Sequence, residues 1–213
     1  ALSKFSQKKT VTRKSLEEES AKGSQEAGQL LTLMGSLRHL AFTEDLRAVL
    51  ANRGKDLASL LSDGEYLPIL EGLLKSEGLD YARRPKGLIP FHPTPSGPRT
   101  PFEEQLVEAI HTVQDSKRTC LVHFTVSPEH GVECRSHLAQ AVPALEKAFV
   151  VKLEVVFSEQ KSSTQTLAVD GENRPFRAKG GWFSKGPLVF RPGGHGALLE
   201  NLKREMEYLP QIV

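Results

Sequence analysis

Tryptophan occurs once, cysteine twice and methionine twice in 213 residues, and aromatic residues make up only 7% of the chain. Two cysteines, Cys120 and Cys134, are too few for the disulfide framework of a small secreted domain. A reduced, cytoplasmic compartment is therefore the expectation. An excess of charge of one sign is lacking too. A formal net charge of +2 gives no ground for nucleic-acid or anionic-membrane binding. No apolar run approaches the ~18 residues of a membrane span. The opening Ala1-Leu2-Ser3-Lys4-Phe5 has no signal-peptide apolar core. The seven histidines never take the His-Glu-x-x-His spacing of zinc proteases. Ser127 lacks the Gly-x-Ser-x-Gly elbow of hydrolases. Neither cysteine has a partner arrangement for nucleophilic catalysis.

What is present is an ordinary globular composition, 38% hydrophobic and 25% charged. The length suits one large domain or two small ones, at ~100–200 residues each. Residues 1–28 are polar, with Lys8-Lys9, Arg13-Lys14 and Glu17-Glu18-Glu19, and are expected to pack poorly. Residues 29–80 read as a helical layer without evident chemistry. Leu30, Leu33, Met34 and Leu37 repeat at three and four. Thr43 is expected to cap one helix and Asp56 another, and Pro68 suits a first turn. Residues 81–213 read as an α/β core. Thr100-Pro101-Phe102-Glu103 has the form of a capping box with proline at the first helical position.

Two runs in that core read as strands, Thr119–Val126 and 150–157, joined by a helix over about 128–147. Strand, helix, strand predicts a parallel pair with a right-handed crossover. Further strands are expected at 88–91, 166–169 and 188–190, the last leading into Arg191-Pro192-Gly193-Gly194-His195-Gly196 and a helix bearing Leu198, Leu199 and Leu202. The fold class predicted is α/β, with a mostly parallel sheet and helices on its faces. Ligands of such sheets lie past the carboxyl ends of the strands. That rule picks out 127–130, 159–160 and 191–196 at one rim, with the loop around Lys86 as a further candidate, and Gln160 and the 193–196 turn are expected close enough to touch one small ligand. The glycines either make a tight corner or let a flat or anionic group approach. Gln160 follows a strand end and caps it on the plain reading. His123 reads as a satisfied core histidine, and His92 and His130 as loop residues. Arg99 and Arg191 are candidate phosphate contacts.

Four blocks in order resemble the bacterial domain-of-unknown-function 4301 family. They are Lys86-Gly-Leu-Ile-Pro-Phe-His with the loop to Arg99-Thr-Pro-Phe-Glu-Glu, His123-Phe-Thr-Val-Ser-Pro-Glu-His, Phe157-Ser-Glu-Gln, and Phe190-Arg-Pro-Gly-Gly-His-Gly-Ala-Leu-Leu-Glu-Asn-Leu. The resemblance runs from about Leu37 to Val213. More distantly, the same order is similar to the UDP-sugar pyrophosphorylases. That likeness implies a Rossmann-like sheet of the nucleotide-diphospho-sugar transferase type, incomplete in this stretch. It implies joining of a nucleoside triphosphate to a sugar 1-phosphate with release of pyrophosphate, and magnesium as cofactor. It would set Lys86 against phosphate as the catalytic cation. Gln160 and the backbone of Gly194 would meet a pyrimidine base, and His195 would stand where the family has an asparagine. Gly193 and Gly196 complete that turn. The glycine-rich phosphate loop and the acidic metal ligand of such enzymes have no counterpart here. The stretch is therefore expected to hold the middle of such a site without its catalytic edges, and to be inactive alone. A non-catalytic nucleotide- or sugar-phosphate-binding module is the alternative.

Overall fold

The strand–helix–strand unit predicted from the sequence is present in the computed structural model, which describes residues 2–178, 186–199 and 203. Strand β3 (Thr119–Val126) and strand β4 (Lys152–Glu159) run parallel, with Thr119 opposite Lys152 and Val126 opposite Glu159. Helix α8 (Gly131–Phe149) connects them. The chain divides into two compact units, Ala1–Glu108 and Ala109–Val213. The fold is mixed α/β. Among the described residues the sheets are two-stranded: this parallel pair and two antiparallel ones. The mostly parallel sheet expected from the alternation is represented there by β3 and β4 alone. No described helix is long and apolar enough to cross a membrane.

The first unit is a helical layer built from α1 (Leu2–Ser6), α2 (Arg13–Ala21), α3 (Gln25–Ser36), α4 (Thr43–Ala51), α5 (Leu57–Asp63) and α6 (Leu67–Leu74). Residues 1–28 correct the expectation of poor packing. Phe5, Val11 and Leu16 are buried in one cluster with Leu30, Leu46 and Leu70. The start of the chain is pinned by backbone hydrogen bonds. Tyr66 N and Leu67 N both donate to Val11 O, and Arg13 N donates to Gly64 O at 2.8 Å. Gly64 is required at that junction. Its φ is +73°, and a Cβ there would stand 2.9 Å from Arg13 Cβ. Thr12 and Ser15 form a reciprocal capping box at the start of α2. Asp56 caps α5 as expected, accepting from Ser59 N at 2.8 Å. Thr43 does not cap α4. Phe42 holds the cap position, and the Thr43 hydroxyl turns back to donate to Leu40 O at 2.7 Å.

Beyond the helical layer, residues 88–91 do not form the expected strand. Lys86–Leu88 is a 3-10 turn. The proline-dense loop folds instead into a hairpin of β1 (His92–Thr94) and β2 (Gly97–Arg99), with His92 opposite Arg99. Gly97 supplies the positive φ of +116° at its turn. Helix α7 (Pro101–Thr112) begins at the predicted capping box, with Thr100 N donating to Glu103 Oε2 at 2.6 Å and Glu103 N to Thr100 Oγ1 at 3.4 Å.

In the second unit, Cys120, Phe124, Val126, Cys134, Leu138 and Leu153 are buried. The other face of β3 is only half-buried, so this strand is not covered on both sides as its apolar run suggested. Arg118, at a φ of +61°, donates to Phe149 O and Val150 O, both at 2.8 Å. It thereby satisfies carbonyls that the end of α8 leaves without partners. Strand β5 (Gln165–Leu167) pairs antiparallel with β6 (Phe190–Pro192). The strand expected at 188–190 is thus displaced toward Pro192 and exposed on every residue. Residues 179–185 and Leu202 lie outside the described residues.

Leu16 is fully buried. Leu16→Ala should lower unfolding stability by about 2–5 kcal/mol. Urea denaturation checks this, and a change within experimental error would show that the first helices are not part of the core.

Candidate functional site

The carboxyl ends of β3 and β4 deliver two chain segments side by side. The hydrogen bond from Gln160 N to Val126 O, at 2.9 Å, continues the parallel ladder one residue past β4. After it the chains part. Residues Pro128–His130 make a 3-10 turn into α8, and Ser162–Thr164 make another before β5. Ser127, Glu129, Gln160, Gln165 and Pro192 line a cleft of about 30 Å³ between them. That is room for about one water molecule. The expected rim residues 127–130 and 160 therefore do meet.

Gln160 is half-buried and its side chain is fixed. Its amide nitrogen lies 3.2 Å from Thr164 Oγ1 and 3.4 Å from Gly193 O. Which end of the amide faces these atoms follows from chemistry. A backbone carbonyl only accepts, and the Thr164 hydroxyl gives its own proton to Lys161 O at 2.6 Å. Both contacts therefore take N–H groups from Gln160. Its Oε1 remains an acceptor with no partner among the described residues. Gln160 and the 193–196 turn stand within touching distance, as expected, through Gly193 O.

The turn itself is not the tight corner that glycine usually marks. Gly194 has an extended backbone (φ −72°, ψ −171°). A Cβ at Gly194 or Gly196 would meet nothing within 4 Å. Among the described residues, neither a positive φ nor packing asks for glycine at these two positions. The expected helix begins as a 3-10 turn, His195–Leu198. The His195 imidazole lies outside the described set. Arg191 sits exposed on β6, opposite Thr166 of β5.

Lys86 and Arg99 belong to the first unit. Lys86 is exposed and has no hydrogen-bond or ion-pair partner among the described residues. The glycine after it has a structural reason. A Cβ on Gly87 would lie 2.6 Å from Phe102 Cε2. Arg99 is engaged, with Nη1 3.3 Å from Glu104 Oε1. His92 Nδ1 lies 2.9 Å from the same oxygen. Glu104 was not singled out from sequence, although it stands five residues after Arg99 on the first turns of α7. His123 is half-buried and bonds Ser158 Oγ at 2.9 Å through Nε2, which suits a satisfied structural histidine.

The chain matches the family described as Domain of unknown function (DUF4301) over residues 2–209. It belongs to that family. No curated protein and no solved structure matches it. The four blocks read from the DUF4301 sequence thus sit in a match that also takes in the N-terminal helices. Among the described residues of this DUF4301 chain, no three or more His, Cys, Asp or Glu side chains gather to hold a metal ion.

Burial pushes the Cys120 thiol above its usual pKa, and burial followed by the charge of Glu133 does the same for Cys134. Less thiolate at neutral pH means slow alkylation. Iodoacetamide should leave both thiols intact in the native chain and modify both in urea, as read by mass spectrometry. Rapid native labelling of either would reveal an activated cysteine.

Proposed function

We propose that this protein is a nucleotidyltransferase-like nucleotide-binding protein, with its base site at the carboxyl edge of β3 and β4. The single observation that supports it is the fixed Gln160 amide beside Gly193. Two other features agree: the strand-end position at which α/β proteins take ligands, and the glycines Gly194 and Gly196, where a Cβ would meet nothing within 4 Å among the described residues. With both N–H groups of Gln160 engaged, its free Oε1 is an acceptor. It suits a ring N–H, as in uracil, and not a ring nitrogen that itself accepts, as in cytosine. Backbone N–H groups of the 193–196 turn would serve the base carbonyl. The cleft of about 30 Å³ must widen to admit a base, since small-molecule sites run to ~300 Å³ and more.

The finer reading follows the resemblance to the sugar-nucleotide enzymes. The fold would be the nucleotide-diphospho-sugar transferase type, and the reaction would join a nucleoside triphosphate to a sugar 1-phosphate with release of pyrophosphate. Lys86 would then face phosphate as a point charge, with Arg99 and Arg191 as further cations and His195 lining the base pocket. Arg99 would first have to leave Glu104. Magnesium enters with the same resemblance. The described donors do not assemble a site for it, and no step is drawn through it. Binding without turnover needs only Gln160 and the backbone of the 193–196 turn.

Calorimetric titration tests this directly. UMP should bind more tightly than CMP by about ten-fold, one hydrogen bond to a buried polar group. Gln160→Ala should erase the preference while the thermal melt stays within a few degrees. Equal binding of both nucleotides, or none of either, would reject the base site. Pyrophosphate release from UTP and a panel of sugar 1-phosphates, lost on Lys86→Ala, would favour the catalytic reading over the binding module.

A further inference from the structure

A second cavity lies wholly within the helical unit and is independent of the proposed nucleotide site. Its volume is about 810 Å³, inside the ~300–1,000 Å³ range of small-molecule sites. Met34, Leu57 and Tyr66 are buried at its floor. Three arginines line it at the surface: Arg13 of α2, Arg38 of the 3-10 turn Leu37–His39, and Arg47 of α4. One carboxylate, Glu17, faces them from the same lining.

The three guanidinium groups are in different states. Arg13 is held in place, donating from Nε to Tyr66 Oη at 3.0 Å and from Nη2 to Leu61 O at 2.7 Å. Arg47 makes an exposed i,i+3 contact with Glu44 at 3.3 Å, the kind of pair that contributes little and exchanges readily. Arg38 has no hydrogen-bond or ion-pair partner among the described residues. Three exposed arginines beside an apolar lining offer donors for an anionic head group. Gly35 adds a separate observation. It is the second-last residue of α3, it lines the cavity, and a Cβ there would meet nothing within 4 Å. Its φ is not positive, so neither backbone nor packing calls for glycine. Gly35 contributes no side chain to the cavity lining. Gly28 of the same helix differs, because a Cβ there would meet Ser20 Oγ at 3.3 Å.

We propose that this cavity binds a small organic anion with an apolar body, its carboxylate or phosphate at Arg13, Arg38 and Arg47 and its hydrocarbon against Met34 and Leu57. The open cavity has room for a small ligand, and the planar donor forks of arginine match either head group.

The chain has two methionines, so methyl-¹³C-methionine NMR gives a simple reporter, with the Met34 line assigned by Met34→Leu. Decyl phosphate and decanoate serve as probes below their micelle concentrations. Decanol lacks the charge, and inorganic phosphate lacks the apolar body. The Met34 line should shift saturably with the charged amphiphiles, with affinity at least about ten-fold above decanol. Preference for decyl phosphate or for decanoate identifies the head group. Arg38→Glu, at an exposed position, should weaken binding about ten-fold or more. Gly35→Leu should abolish the shift while the thermal melt persists. Gln160→Ala should leave it unchanged, which separates this site from the nucleotide site. A Met34 line unmoved by both charged probes, decanol binding as well as they do, or unaltered binding to Arg38→Glu would each overturn the proposal.

Discussion

The parallel pairing of β3 with β4 is the constraint on which the second unit depends. Two parallel strands cannot be joined by a tight turn. The chain must leave the end of one, travel back and re-enter at the start of the other. Helix α8 makes that return, and the junctions at its far end are secured by polar contacts rather than by packing alone. Arg118 donates to the last carbonyls of the helix, and Glu146 Oε1 accepts from Leu153 N at 2.8 Å. The amino ends of the strands are thus tied up in structural bonds. At the opposite ends the ladder closes with Gln160 N on Val126 O, and two segments are released next to each other. Polar groups gather there because the topology brings two loops to one edge.

The hydrogen-bond polarity around Gln160 turns that edge into a chemical preference. A glutamine amide free to rotate can present either a donor or an acceptor. Here two acceptors, Thr164 Oγ1 and Gly193 O, claim the nitrogen, and the oxygen has no partner among the described residues. Gly193 belongs to a segment 33 residues away in the chain, so the same contact ties the turn before β5 to the glycine turn after β6. The geometry therefore joins a positioned acceptor to a turn that carries three glycines, Gly193, Gly194 and Gly196.

Long elements were legible in the sequence, and short ones were not. Thr119–Val126 carries a run of β-branched and apolar residues sufficient to identify a strand, and the capping box at Thr100 and Glu103 announces α7. The three-residue strands β1, β2, β5 and β6 are too short to show a period. The proline-dense 92–99 segment therefore read as a loop, although its hairpin is fixed by Gly97 and by pairing across it. Residues 1–28 misled because their apolar residues are few. Phe5, Val11 and Leu16 are each alone in a polar stretch, yet each falls on a buried face. Sparse hydrophobicity was read as poor packing where a single well-placed side chain per element suffices. Gln160 and the 193–196 turn do meet, through Gln160 and Gly193 O, although β6 before that turn pairs antiparallel with β5 and is not part of the parallel pair. The arginine-lined cavity had no sequence signal behind it. Arg13, Arg38 and Arg47 come from separate segments, and only helix packing assembles them.

The central claim is that the carboxyl edge of β3 and β4 receives the ligand, with Gln160 and the glycine turn as its two sides. Amide chemical-shift mapping on the ¹⁵N-labelled chain during titration with UMP addresses that claim most directly. Saturable shifts concentrated at residues 127–130, 160–165 and 192–196, with the side-chain amide of Gln160 among them, are the expected result. Shifts centred instead on the amino ends of the strands, around Arg118 and Val150, or no saturable shift anywhere, would contradict it.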